Sequence, residues 1–410
     1  MDTSAPRFQR DRFTWLAYLM LAYFAYQQAT LGPLMPFLRD ELKLNYTITG
    51  LHLSAFALGM TLAGLVGDAV VRRWGRRRAF WGGGAGMALG AIAFVLGRHP
   101  ALTIAAALLM GAPGTLLLIT VQATLSDRHG AQRTIALTEA NIGASLSAGL
   151  APLCVGNLQR AGIGWRGALL LSALTWAVLT WRGWRVPIPS QAAPPPAAHA
   201  TAPRTQLPAV FWAYWLVIFL GVSAEWSTIF WGADFLETGV GLRKVDAATL
   251  MSVFFAAMLL GRILGSRLTR RARLSTLLPG AALLALSGFL PFWLAPVAPL
   301  NIAGLFVAGL GIANLFPLTL SAASGSVAPH QADAASSRVT LAAGLAILIT
   351  PQVLGMLADQ VGIKSAYAVV AVFLTAISAA IFSANRLARG TDSAENGLRQ
   401  LSSAESERER

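Results

Sequence analysis

The chain has 410 residues, 55% of them hydrophobic and 12% charged, with 32 Lys and Arg against 18 Asp and Glu. A soluble domain is about 25% charged. With a mean hydropathy of +0.58, this chain has too few polar side chains to coat a soluble particle of its size. The same apolar richness excludes intrinsic disorder, and the single cysteine, Cys154, excludes a disulfide scaffold.

A helix needs about 20 mainly apolar residues to cross a bilayer. In chain order the stretches that meet this requirement are 13–38, 47–71, 79–97, 101–125, 134–158, 166–182, 209–237, 246–268, 274–294, 299–325, 337–361 and 364–387. The expected fold class is therefore all-α and polytopic, with 12 transmembrane helices. The alternating strands of an outer-membrane barrel are not seen. The first apolar stretch is too long, and lacks the cleavage site, for a removed signal peptide. Residues 1–12 read as a polar lead and 13–182 as six spans. Residues 183–208 contain IPSQAAPPPAAHATAPRTQLP, a Pro/Ala-rich linker, and 209–388 hold six more spans before a charged tail at 389–410 that reads as disordered.

With the N-terminus placed in the cytoplasm, cytoplasmic segments hold 23 of the 32 basic residues and the outer loops eight; Arg262 lies within a span. This bias follows the positive-inside rule and predicts both termini inside a bacterial inner membrane. It also accounts for the +14 net charge through orientation signals and lipid headgroups. Nucleic acid is not needed as a partner, and RRWGRRR is a short cluster between two spans.

The halves can be overlaid at an offset of about 198 residues. AGLVGDAVVRRWGRR (63–77) falls on GRILGSRLTRRARLS (261–275), and LTIAAALLMG (102–111) on LNIAGLFVAG (300–309). Pro152 and Gly156 fall on Pro351 and Gly355 one register later. Such parallel repeats are a transporter architecture, with the solute bound near mid-membrane between the halves.

On these spans, the central linker and the stretch GLVGDAVVRRWGRRR, the sequence resembles the major facilitator superfamily (MFS) over residues 12 to 388. The resemblance implies two six-helix bundles related by a pseudo-twofold, a secondary carrier working by alternating access, and no enzyme activity. The stretch is similar to the superfamily's loop motif through Asp68, Arg72, Arg73, Gly75 and Arg76. Its acid-to-glycine spacing is longer than the common form, and the family's span-four arginine is missing from ALLMGAPGTLL. The second half resembles the fucose-permease-like sugar and small-solute carriers in GVSAEWSTIFWGADFL (221–236), FFAAMLLGRILGSRL (254–268), GLGIANLFPLTLS (309–321) and ITPQVLGMLADQVG (349–362). Those permeases carry acids in spans one and four, where this chain has Gln27, Gln28 and Gln122. GASLSAGLAP (143–152) resembles the span-five motif of drug antiporters, so uptake and export both stay open.

An ionisable group at bilayer depth is a functional candidate by default. Glu225 stands deep in span seven, opposite Gln27 at the repeat offset, and is expected to bind the proton or the solute. Gln27, Trp226, Tyr26, Gln122 and Asn314 are expected to bind the solute, supplying stacking and amide groups suited to sugars or planar amphiphiles. Gln27 and Gln28 cannot share one helix face. Asp234 and Glu237 lie nearer the outer end, where solvation accounts for them. Helix neighbours implied by the resemblance would pair Asp68 with Arg338 and Glu139 with Arg262, closing the cytoplasmic mouth in the outward-open state and breaking in the inward-open one. No phosphate-binding loop and no metal-spaced His/Cys set occurs, so no cofactor or metal is expected. The expected partners are a small-molecule solute, protons and membrane lipid, around a monomer.

Overall fold

The computed structural model describes residues 8–189 and 206–383. The long helices are α1 Arg12–Leu42, α2 Tyr46–Trp74, α3 Arg76–Leu96, α4 Pro100–His129, α5 Arg133–Arg160 and α6 Arg166–Gly183, then α7 Ala209–Asp234, α8 Lys244–Leu268, α9 Leu274–Leu294, α10 Ala298–Gly325 and α11 Ala332–Val361. The last, α12, is Ile363–Ser383. No strand occurs among the described residues. Most of the linker and the whole tail (190–205 and 389–410) fall outside the described residues, as do residues 1–7.

Local chemistry sets the helix ends. The Asp11 carboxylate caps α1, accepting from the Thr14 amide at 2.8 Å and its hydroxyl at 2.7 Å. Asn45 caps α2 through the Ile48 amide at 2.8 Å. Only Gly75 separates α2 from α3, at φ 80°, and Gly362 separates α11 from α12 at φ 79°. A side chain is strained in that region, so glycine is the residue that permits these one-residue turns.

Among the described residues nine segments are long and apolar enough to cross a membrane. One of them, Pro100–Arg160, contains both α4 and α5, joined by the 3-10 turn Gly130–Gln132. α1 and α6 are not among the nine. α1 carries Tyr, Gln and Pro residues yet is buried along most of its length, so protein shields it from lipid. α6 has only 18 residues, with an arginine near each end. Including these two, twelve long helices are present, in the chain order read from the sequence. Lipid-facing side chains such as Leu65, Leu89, Leu174 and Leu283 stand exposed around the bundle.

In the first half α1 packs on α4, α5 and α6, α2 on α4, and α3 on α4 and α6. In the second half α10 packs on α7, α8 and α9, and α7 on α11. The halves meet where α2 touches α11, α5 touches α8, and α1 touches α7 and α8. The start of α1 lies by the end of α4, tied by Asp11 to Arg128 at 2.8 Å. This face, holding the α2–α3, α4–α5, α8–α9 and α10–α11 turns, is the terminal face; its opposite is the distal face.

Candidate functional site

The two halves are locked together on the distal face. At Gly32 the backbone of α1 lies against Ile229 and Phe230 of α7, leaving no room for a Cβ. Arg39 of α1 bonds Asp234 of α7 at 2.9 Å and reaches Glu237 at 3.8 Å. Lys244 at the start of α8 pairs with Asp40, and Arg160 of α5 with Asp246 of α8 at 2.5 Å. Between α2 and α11, the Asp359 carboxylate accepts the amides of Tyr46 and Thr47, each at 2.8 Å, and the Thr47 hydroxyl at 2.5 Å. A carboxylate from one half thus caps a helix belonging to the other. Ser54 of α2 adds a bond to the Leu348 carbonyl at 2.8 Å.

The expectation that Asp234 is solvated is wrong, because its exposure is 0%. The neighbouring α1 supplies the balancing charge through Arg39. A signal for this lay in the repeat: 198 residues separate Arg39 from Glu237, so α1 and α7 carry opposite charges at equivalent ends.

Toward the terminal face the halves part around a cavity of about 1270 Å³, whose mouth is lined by Arg133 and Thr134 of α5 and by Arg267, Thr269 and Arg270 at the end of α8. A deeper chamber of about 220 Å³ continues toward α1, walled by Phe24, Gln28, Leu118, Ile229, Phe255 and Met258. Asn141, Ser145, Glu225, Trp226, Leu259 and Arg262 border both spaces. At that junction Glu225 Oε1 faces Arg262 Nη2 across 3.7 Å, with side-chain exposures of 14% and 48%. Arg262 Nη1 also reaches Ser145 Oγ at 3.5 Å.

Of the residues expected at the site, Glu225, Trp226, Arg262 and Asn314 line the cavity. Asn314 spends its amide on the Gly261 and Leu310 carbonyls, at 2.9 and 3.0 Å, which ties α10 to α8. Gln27 points away, fully buried, donating to Tyr23 at 2.9 Å and Ser172 at 3.0 Å. Its neighbour Gln28 takes the place in the chamber wall. Tyr26 is also buried within the first half, its hydroxyl on the Ala168 carbonyl at 3.1 Å. Gln122 is exposed on α4 and lines neither space. Asn141 and Ser145 went unread in the sequence, since uncharged polar residues are common along α5 and nothing local tells which face is wet.

The loop-motif residues separate by role. Arg76 is buried and bonds Asp127 at the end of α4 at 2.6 Å. Its neighbour Arg77 donates to the Trp184 and Val186 carbonyls beyond α6 and lies over the Trp184 ring at 5.0 Å. Asp68, Arg72 and Arg73 are exposed at the end of α2. The pairs Asp68–Arg338 and Glu139–Arg262 are not formed. Glu139 is instead held by Arg10 at 2.5 and 2.7 Å and by Tyr18 at 3.1 Å. Both pairs would lie on the terminal face, where the halves stand apart around the cavity and bring neither pair within reach.

The sequence profile of the Major Facilitator Superfamily matches residues 17–300 and 237–405. An uncharacterized MFS-type transporter of Yersinia pestis is 24% identical over 357 residues, 86% of this chain and 90% of that protein. An uncharacterized transporter of Sinorhizobium fredii is 28% identical over 154 residues, 38% of this chain and 41% of that one. The fold is shared with an inward-facing bacterial homologue of the human lysosomal transporter Spinster, at 16% identity and TM-score 0.74 over 93% of this chain and 98% of that one. It is shared also with a nucleoside transporter, at 14% identity and TM-score 0.74 over 91% and 100%. The chain belongs to the major facilitator superfamily, and is a multi-pass secondary transporter of a small solute.

Proposed function

We propose that this transporter couples solute movement to protons by alternating access, and that the state described is open to the cytoplasm. The observation carrying the proton reading is the Glu225–Arg262 pair at the junction of mouth and chamber. Arg262 is the charged side chain within ion-pair reach of Glu225; the other charged groups of the cavity, Arg133, Arg267 and Arg270, line its mouth. When ionised, Glu225 holds the guanidinium; when protonated, it releases it. Proton occupancy and the freedom of Arg262 are therefore linked, which a coupled carrier requires.

The orientation rests on arginine placement. The terminal face carries Arg72, Arg73, Arg77 and Arg78 around the α2–α3 turn and Arg267, Arg270, Arg271 and Arg273 from the last turn of α8 to the start of α9, and a basic face sits in the cytoplasm. The organisation is two six-helix halves, 13–182 and 209–388, joined by the linker, acting as a monomer in a bacterial plasma membrane. Uptake of a sugar, which the fucose-permease resemblance favours, and export of a drug, which the span-five motif favours, would use the same machinery.

In proteoliposomes, an imposed pH gradient should accelerate net transport by the wild-type protein. Glu225→Gln should abolish that acceleration while leaving solute exchange at equal pH. A Glu225→Gln protein that responds to the gradient as wild type does would remove the carboxyl from the coupling role.

A further inference from the structure

Resting on the carrier reading, we infer that the solute is a small organic anion, a carboxylate on an apolar body, which seats its carboxylate on Arg262. Among the described residues, the charged lining of the cavity is four arginines, Arg133, Arg262, Arg267 and Arg270, against one acid, Glu225. A cleft of one sign between low-dielectric walls concentrates the opposite sign, so this one draws anions and repels cationic drugs.

Arg262 is under-used by the protein. A guanidinium offers five N–H donors. Here one reaches Ser145 at 3.5 Å, the far limit of a hydrogen bond. The nearest Glu225 oxygen stands at 3.7 Å, beyond that limit. With 48% of its side chain exposed at the junction of both spaces, Arg262 presents a free edge to whatever enters. Two parallel N–H···O bonds to a carboxylate are the contact a guanidinium makes best.

The chamber beyond specifies the rest of the molecule. Among the described residues that line the chamber alone, Gln28 is polar and the rest, Phe24, Leu118, Ile229, Phe255 and Met258 among them, are apolar. A sugar placed there would find Gln28 for one hydroxyl and leave the others without partners, which is unfavourable for each group so buried. An aliphatic or aromatic body loses nothing by entering. The volume of about 220 Å³ keeps that body small.

This arrangement makes Glu225 the internal rival of the solute. Both carboxylates compete for one guanidinium, and two anions beside a single cation repel. Protonation of Glu225 removes the rival, so the anion and a proton drawn from water are bound together.

The test is isothermal titration and thermal shift on the purified full-length protein, with three matched probe sets. Benzoate and cyclohexanecarboxylate are the acids, their primary amides the neutral controls, and benzylamine the cation. The acids should bind, with the amides and the amine at least tenfold weaker. Glu225→Gln should bind the acids at least tenfold tighter at neutral pH, while Arg262→Gln loses them and Arg262→Lys, which keeps the charge without the fork, weakens them. Amides binding as tightly as acids, no acid binding at all, or no gain in Glu225→Gln would each overturn the assignment; the last holds even if Arg262→Gln fails to fold. Since binding in detergent requires no transport, acid binding without counterflow would sink the carrier reading alone. Counterflow of a neutral solute without acid binding would sink the anion alone.

Discussion

Gln27 and Gln28 are neighbours in sequence, turned about 100° apart on α1, and that rotation divides their work. Gln27 is a structural strut: its amide joins Tyr23 on its own helix to Ser172 on α6 inside the first half. Gln28 lines the chamber, and its amide donates to the Met60 sulfur at 3.6 Å, a weak acceptor that a ligand oxygen can displace. Replacing Gln27 by Ala should therefore lower the melting temperature in detergent, by the equivalent of about 1–3 kcal/mol. Gln28→Ala should leave melting within error and weaken solute binding several-fold. Titration and melting of the two variants side by side check this, and reversed phenotypes would exchange the roles. The repeat offset pointed to Gln27 as the binding residue, and the structure puts Gln28 in the chamber instead. Both faces of α1 are buried by protein, and the pattern of apolar residues cannot tell a dry interface from a wet one.

At the scale of helices, what was legible follows from what the bilayer demands of any chain. Length and apolarity marked every long helix within a few residues, while the caps Asp11 and Asn45 went unread. Glu225 and Arg262 could be singled out because charge at bilayer depth is rare. Contacts between distant helices could not be read. Asp359 sits near the end of α11 like any solvated acid, and only the approach of α2 turns it into a cap on Tyr46 and Thr47. Charge-assisted hydrogen bonds contribute about 1.5–3 kcal/mol each, so Asp359→Ala should release much of the α2–α11 contact and raise the population with the distal face open. Spin labels at Lys43→Cys and Arg243→Cys, placed in a Cys154→Ser background, report the separation of the halves at that face. A longer distance should gain weight in Asp359→Ala; an unchanged distribution would reduce the cap to a local detail of α2.

Across the whole molecule, closure of one face and opening of the other are two sides of the same ion-pair arithmetic. Distally, Arg39 with Asp234 and Arg160 with Asp246 bridge the halves; at the terminal face Glu139 rests on Arg10 and Arg262 faces Glu225, each within one half. In the proposed cycle, rocking to the other state breaks the first set and brings Glu139 and Arg262 to the same closed terminal face. The buried Arg39–Asp234 bridge is the element to probe, because removing one partner of such a pair strands the other and costs about 3–5 kcal/mol. Arg39→Gln and Asp234→Asn should each destabilise distal closure, whereas the exchange Arg39→Asp with Asp234→Arg should restore most of it. A single cysteine at Ala148, in the chamber wall, placed in the Cys154→Ser background, reads this out with an impermeant maleimide applied from either side of the membrane. In the otherwise unaltered protein it should react from the terminal side and hardly from the distal side. In either single variant distal labelling should rise at least several-fold, and in the charge exchange it should fall back. Equal distal labelling in all four proteins would mean that the bridge does not hold the distal face shut, and that the Gly32 packing and the other distal contacts do so without it.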